Sequence, residues 1–77
     1  MAALAYLFVE CAPGRAWDVL VRLRRIRGIH EARVVTGPYD IIAVVEAADQ
    51  GTIIEGILPK VLGIPGVEGT TTNLVIA

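Results

Sequence analysis

The chain has 77 residues, a formal net charge of −1 and a pI near 5.7; 55% of its residues are hydrophobic and the mean hydropathy is +0.63. That length makes one domain, residues 1–77, too small to cover so apolar a composition with its own core, so self-association is expected. The charge balance lacks the basic face that a general nucleic-acid binder needs, and no apolar run approaches the roughly 20 residues of a membrane-spanning helix.

In chain order, Ala3 to Cys11 is an expected strand, with Leu4, Tyr6 and Phe8 on one side and Ala5, Leu7 and Val9 on the other. Both sides are apolar. Met1 leads straight into this run without a basic region or cleavage pattern, so no leader is expected. Cys11, the single cysteine, has no disulfide partner and reads as a buried thiol in a reducing compartment, with the cytoplasm the simplest address. Pro13-Gly14 breaks the strand, and Arg15 to Arg27 has helical spacing in Ala16, Val19, Leu20, Leu23 and Ile26. The opposite stripe carries Arg15, Asp18, Arg22 and Arg25, with Asp18 and Arg22 four apart in the favourable order. Arg24, Arg25 and Arg27 suit the negative end of the helix dipole, and Gly28 stands where a C-terminal glycine belongs. Trp17, near the first turn, is expected to be half-buried or to line an interface between dimers.

Next come two β-branched runs, Ile29 to Val35 and Ile41 to Ala47, joined by Thr36-Gly37-Pro38-Tyr39-Asp40. Gly-Pro between such runs marks a β-hairpin, and its tip sets a phenol beside a carboxylate. A second helix is expected from the N-cap Asp49 through Ile53, Ile54, Ile57, Leu58, Val61 and Leu62. Pro59 inside it removes one N–H and should kink or loosen the winding. Pro65-Gly66 ends the segment, and Val67 to Ile76 is the last strand, opening with Thr70, Thr71 and Thr72 as β-branched residues with exposed hydroxyls.

This order, βαββαβ, is that of an α+β ferredoxin-like fold with a four-stranded antiparallel sheet. An internal echo supports it: Ile26-Arg27-Gly28-Ile29-His30-Glu31 after the first helix is matched by Ile64-Pro65-Gly66-Val67-Glu68 after the second. Helices on one face leave the other open, and here the open face is apolar, so two chains are expected to stack sheet on sheet as a dimeric α+β barrel.

The residues also carry a family resemblance. Gly28-Ile29 leading into Val34-Val35-Thr36-Gly37-Pro38-Tyr39-Asp40-Ile41-Ile42, and Leu62-Gly63-Ile64-Pro65-Gly66-Val67 followed by Thr70 and Thr72, resemble the ligand-binding RAM domain of Lrp/AsnC (feast/famine) regulators over almost the whole chain. The helix-turn-helix of family transcription factors has no place in these residues, so the chain resembles a stand-alone RAM module. The resemblance implies that a free amino acid, or a close relative, binds between dimers assembled into an octamer or similar ring. It implies a role in modulating transcription, alone or with a full-length Lrp/AsnC-type regulator. Asp40 can accept from the ligand's ammonium, backbone N–H groups near Gly37 can donate to its carboxylate, and Thr36 and Tyr39 flank them. By analogy Thr70, Thr72 and Asn73 come from the facing dimer.

Two other classes fit less well. Small enzymes also use stacked ferredoxin-like dimers, but this chain has one histidine, His30, no paired cysteine and no nucleophile or phosphate-loop motif, so neither catalysis nor a metal or cofactor is expected. A ligand-free structural adaptor for a regulator is the other alternative. Direct DNA binding rests only on Arg22, Arg24, Arg25 and Arg27, without aromatic stacking platforms, and is not expected.

Overall fold

The computed structural model describes residues 2–77; Met1, on which the expectation about a leader begins, lies outside the described residues. Strand β1 spans Ala3–Cys11, helix α1 Ala16–Leu23, β2 Ile29–Val34 and β3 Ile41–Ala47. A π-helical segment, Thr52–Ile57, runs directly into helix α2, Leu58–Leu62, and β4 is Val67–Leu74. The strands form one antiparallel sheet in the order β2-β3-β1-β4, the ferredoxin-like topology. Among the described residues no helix is long and apolar enough to cross a membrane.

Alternation along β1 sends Ala5, Leu7, Val9 and Cys11 to the helix side, where all four are buried. Their partners in β3, Ile41, Ala43 and Val45, are buried with them, and Val19, Leu20 and Leu23 of α1 close the layer together with Ile53, Ile57 and Val61. Leu4 and Tyr6 point the other way and are 41% and 50% exposed; Phe8, Ile42 and Val44 on the same face are half-buried.

The echoed segments occupy equivalent places. The Gly28 carbonyl accepts from Glu46 N–H and the Gly66 carbonyl from Ala12 N–H, both at 2.8 Å, each tying the residue before a strand to another strand's end. Both glycines have positive φ, 101° and 100°. A Cβ at Gly28 would stand 2.6 Å from Ile57 Cδ1 and 3.0 Å from the Glu46 carbonyl oxygen; at Gly66 it would meet Arg15 Cβ at 3.0 Å and Val19 Cγ2 at 3.2 Å. Each half of the fold thus seats its glycine against a helix of the other half.

Several expectations need correction. Helix α1 stops at Leu23, not Arg27, because Arg25 N–H and Ile26 N–H bond three residues back, to Arg22 and Leu23, and tighten the chain out of α winding. Asp18 pairs with Arg15 at 3.4 Å rather than with Arg22. Arg24 is not a free helix-end charge: its Nη2 and Nε donate to the Ala32 carbonyl at 2.8 and 3.3 Å, lashing the end of α1 to β2. Trp17 is 70% exposed, not half-buried, since the buried stripe of α1 runs through Val19, Leu20 and Leu23. β4 ends at Leu74, two residues short of Ile76, although Val75 N–H still reaches the Leu4 carbonyl.

The expected loosening near Pro59 takes a definite form. Leu58 N–H bonds Ile53 five residues back, and the π winding ends just ahead of the proline. A wider turn accommodates the ring and the missing N–H while keeping Ile53 and Ile57 in the core. Asp49 starts the helix as expected, its Oδ1 accepting from Thr52 N–H at 2.7 Å and Thr52 Oγ1 at 2.8 Å; these two bonds hold its carboxyl below the usual carboxylate range.

The crowding at Gly28 yields a direct test. Gly28→Ala should destabilise the domain by about 1–3 kcal/mol, through positive φ and overpacking against Ile57. Gly69→Ala, where a Cβ meets nothing within 4 Å, should change stability by no more than about 1 kcal/mol. Urea midpoints of the two variants, at unchanged slope, check the difference.

Candidate functional site

The hairpin tip is fastened to the central strand by one residue. Asp40 N–H donates to the Val9 carbonyl at 3.0 Å, the Asp40 carbonyl accepts from Val35 N–H at 2.9 Å, and Asp40 Oδ2 accepts from Cys11 N–H at 2.7 Å. The last bond is charge-assisted and spans the place where β1 shifts register against β4, between Glu10 and Cys11. Asp40 therefore has a structural duty that its place beside a turn did not announce. Its Oδ1 makes no hydrogen bond among the described residues.

Tyr39 folds back over the open sheet face, its ring 4.8 Å from that of Phe8 and tilted by 39°. Thr36, Gly37 and Pro38 remain exposed, and a Cβ at Gly37 would meet nothing within 4 Å. The tip thus offers a half-buried carboxylate, a phenol anchored on an aromatic ring and unobstructed backbone. Burial, then the carboxylates of Asp40 and Glu68, push the Cys11 thiol up from its ordinary pKa, so it stays protonated and unreactive at neutral pH.

The last-strand candidates do not join this cluster within one chain. Thr70 is opposite Val9, which is itself opposite Ile41, so two strand spacings, about 10 Å, separate Thr70 from the base of the hairpin. Thr72, opposite Leu7, lies on the helix side beside Ile53 and Leu58. Thr70 and Thr72 are half-buried, on the helix side by the alternation of β4, and Thr71 between them is exposed. Asn73 is on the open face, donating through Nδ2 to the Tyr6 carbonyl at 3.2 Å. Any site combining these residues with Asp40 needs a second chain.

His30 is exposed, with Nε2 2.7 Å from Glu46 Oε1. Among the described residues no group of three or more His, Cys, Asp or Glu side chains is placed to hold a metal ion.

Residues 4–77 match the model of the Lrp/AsnC ligand binding domain. The chain belongs to the Lrp/AsnC ligand-binding domain family. Among solved structures, TTHA0845 from Thermus thermophilus is 25% identical, with a TM-score of 0.90 over 97% of this chain and 94% of that one. PHS023, a hypothetical protein from Pyrococcus horikoshii, is 28% identical, with a TM-score of 0.87 over 100% and 92% of the two chains. The transcriptional regulator NMB0573 from Neisseria meningitidis, solved as a complex with L-Met, shares the fold at 17% identity and a TM-score of 0.84; the match covers 97% of this chain and half of that one. No curated protein matches the chain in sequence.

In this Lrp/AsnC domain the bond from Cys11 N–H to Asp40 makes a measurable distinction. Asp40→Ala leaves the part-buried Cys11 N–H without a partner and should cost about 1–3 kcal/mol, whereas Asp40→Asn keeps an oxygen acceptor and should cost less than about 1 kcal/mol. Chemical denaturation of both variants tests this. Equal losses would mean that the negative charge, not the acceptor, secures the tip.

Proposed function

We propose that the hairpin tip binds a free amino acid between two dimers and that occupancy is read out as a change in assembly, modulating transcription. The observation that carries this reading is Asp40, whose backbone and Oδ2 are committed to the fold while Oδ1 is left to accept from a ligand. An α-amino acid's ammonium would bond Oδ1, and its carboxylate would take backbone N–H groups beside Gly37, where no side chain intervenes. Tyr39 and Thr36 would wall the ligand. Family membership supports a ligand site, and the L-Met complex of a protein sharing the fold supports the amino-acid class.

The second chain follows from the open sheet face. Leu4, Tyr6, Phe8, Ile42 and Val44 make an apolar surface that sheet-to-sheet stacking in a two-fold dimer would bury. In a ring of such dimers, an octamer or a similar closed form, β4 of a neighbour would bring Thr70, Thr72 and Asn73 toward the tip by its free edge. A ligand gripped by two dimers favours their association by its affinity difference between joined and separate forms. A full-length Lrp/AsnC-type regulator would be a natural partner for mixed assembly. The reading is of one cytoplasmic RAM domain, with no catalysis and no direct DNA contact.

Two measurements test this. In a denaturant-based stability screen against the common amino acids, a ligand at about a hundred times its dissociation constant should add roughly 2.7 kcal/mol, and Asp40→Asn should remove the gain while remaining folded. No gain with any amino acid would overturn the sensor reading. Tyr6→Glu, at a position half exposed in the single chain, should reduce the mass measured by light scattering to that of a monomer with little loss of helix signal. An unchanged mass would place the dimer contact elsewhere.

A further inference from the structure

At the end of the sheet away from the hairpin, the close of β3 meets the π-helical segment and the loop after α1 around a recess of about 350 Å³. We propose that this recess binds a small monocarboxylate with a short apolar body, independently of the hairpin site. Its lining is mostly apolar, with Ala47, Ala48 and Ile57 contributing side chains and Gly28 and Gly56 contributing backbone alone. Two cations, Arg27 and Lys60, line it from separate segments, one after α1 and one in α2. Neither has a carboxylate within 4 Å among the described residues.

The chemistry of the lining selects the ligand. Glu46 also borders the recess, but its carboxylate is engaged by His30 at 2.7 Å, and alternation along β3 sets it with Leu4 on the open face. The Thr52 hydroxyl donates to Asp49. What remains is a guanidinium fork and an ammonium beside an apolar lining, which suits one planar carboxylate with a hydrocarbon body. An α-ammonium group would meet two like charges, while the Glu46 carboxylate is turned to the open face beside His30. The site should therefore reject amino acids and accept their deaminated counterparts.

The π-helical segment forms one wall of the recess through Thr52, Gly56 and Ile57. It broadens the helix while holding Ile53 and Ile57 in the core, and Gly56 adds no side chain on the outer surface. A Cβ at Gly56 would meet only Thr52 Cγ2, at 3.7 Å. A side chain can thus begin there without a clash at its Cβ.

Isovalerate and its α-amino counterpart valine are the probes, titrated into the full chain while amide resonances are followed by NMR. Isovalerate should shift the Gly28, Ala47, Ala48 and Gly56 amides saturably, and valine should not. The double variant Arg27→Gln, Lys60→Gln should bind isovalerate about tenfold more weakly or worse. Gly56→Leu, with its fold checked by circular dichroism, should abolish the shifts, while Asp40→Asn leaves them unchanged. The proposal is overturned by an absence of saturable shifts, by shifts centred on the hairpin tip, by equal binding in the double variant, or by valine acting as strongly as isovalerate.

Discussion

Strand β1 has to satisfy two faces and two neighbours at once, and the rest of the molecule is arranged to let it. It pairs with β3 on one edge and β4 on the other. Its inner residues, Ala5, Leu7, Val9 and Cys11, are the spine of the core. Because a strand turns alternate side chains to opposite faces, burying these four forces Leu4, Tyr6 and Phe8 outward onto a surface that a single chain leaves uncovered. The same alternation that buries the inner residues therefore leaves an apolar patch on the outer face, the surface on which the proposed stacking of two chains rests.

The two ends of the sheet differ in how they are closed. At one end Asp40 joins the hairpin tip to the end of β1 through both its backbone and its carboxylate. At the other, Gly28 brings the chain after α1 against Ile57 and the end of β3 so closely that no side chain fits. Rigid strands behind an exposed tip are a sound platform for recognition, since little conformational freedom remains to be lost on binding. The recess beside Gly28 and Gly56 has the complementary character, with open backbone and two cations that have no carboxylate partner among the described residues.

Much of this was legible in the chain itself. The strand boundaries of β1 and β3, the hairpin, the capping role of Asp49 and the two-halved echo all rest on local chemistry: alternation, Gly-Pro, a short side-chain acceptor, repeated Ile-x-Gly. Family membership was carried by the same stretches. Less legible were features set by contacts between distant segments. Arg24 looked like a helix-end charge until β2 came within reach of its guanidinium, and the early end of α1 follows from the same turn. The exposure of Trp17 is decided by which stripe of α1 the sheet covers. Asp40 as a clasp on Cys11 N–H, 29 residues away in sequence, has no local signature.

Sequence alone determined the element order, the apolar character of both sheet faces and the residue types at the hairpin tip, because each depends on periodicities and turn preferences spanning a few residues. Tertiary structure decided how those residues are used. It committed one oxygen of Asp40 to the fold and left the other open, turned Thr70 and Thr72 toward the helices, and converted the disruption at Pro59 into a π turn. The reason is physical: hydrogen bonds and packing between segments far apart in the chain depend on register and distance, and neither exists until the sheet has formed.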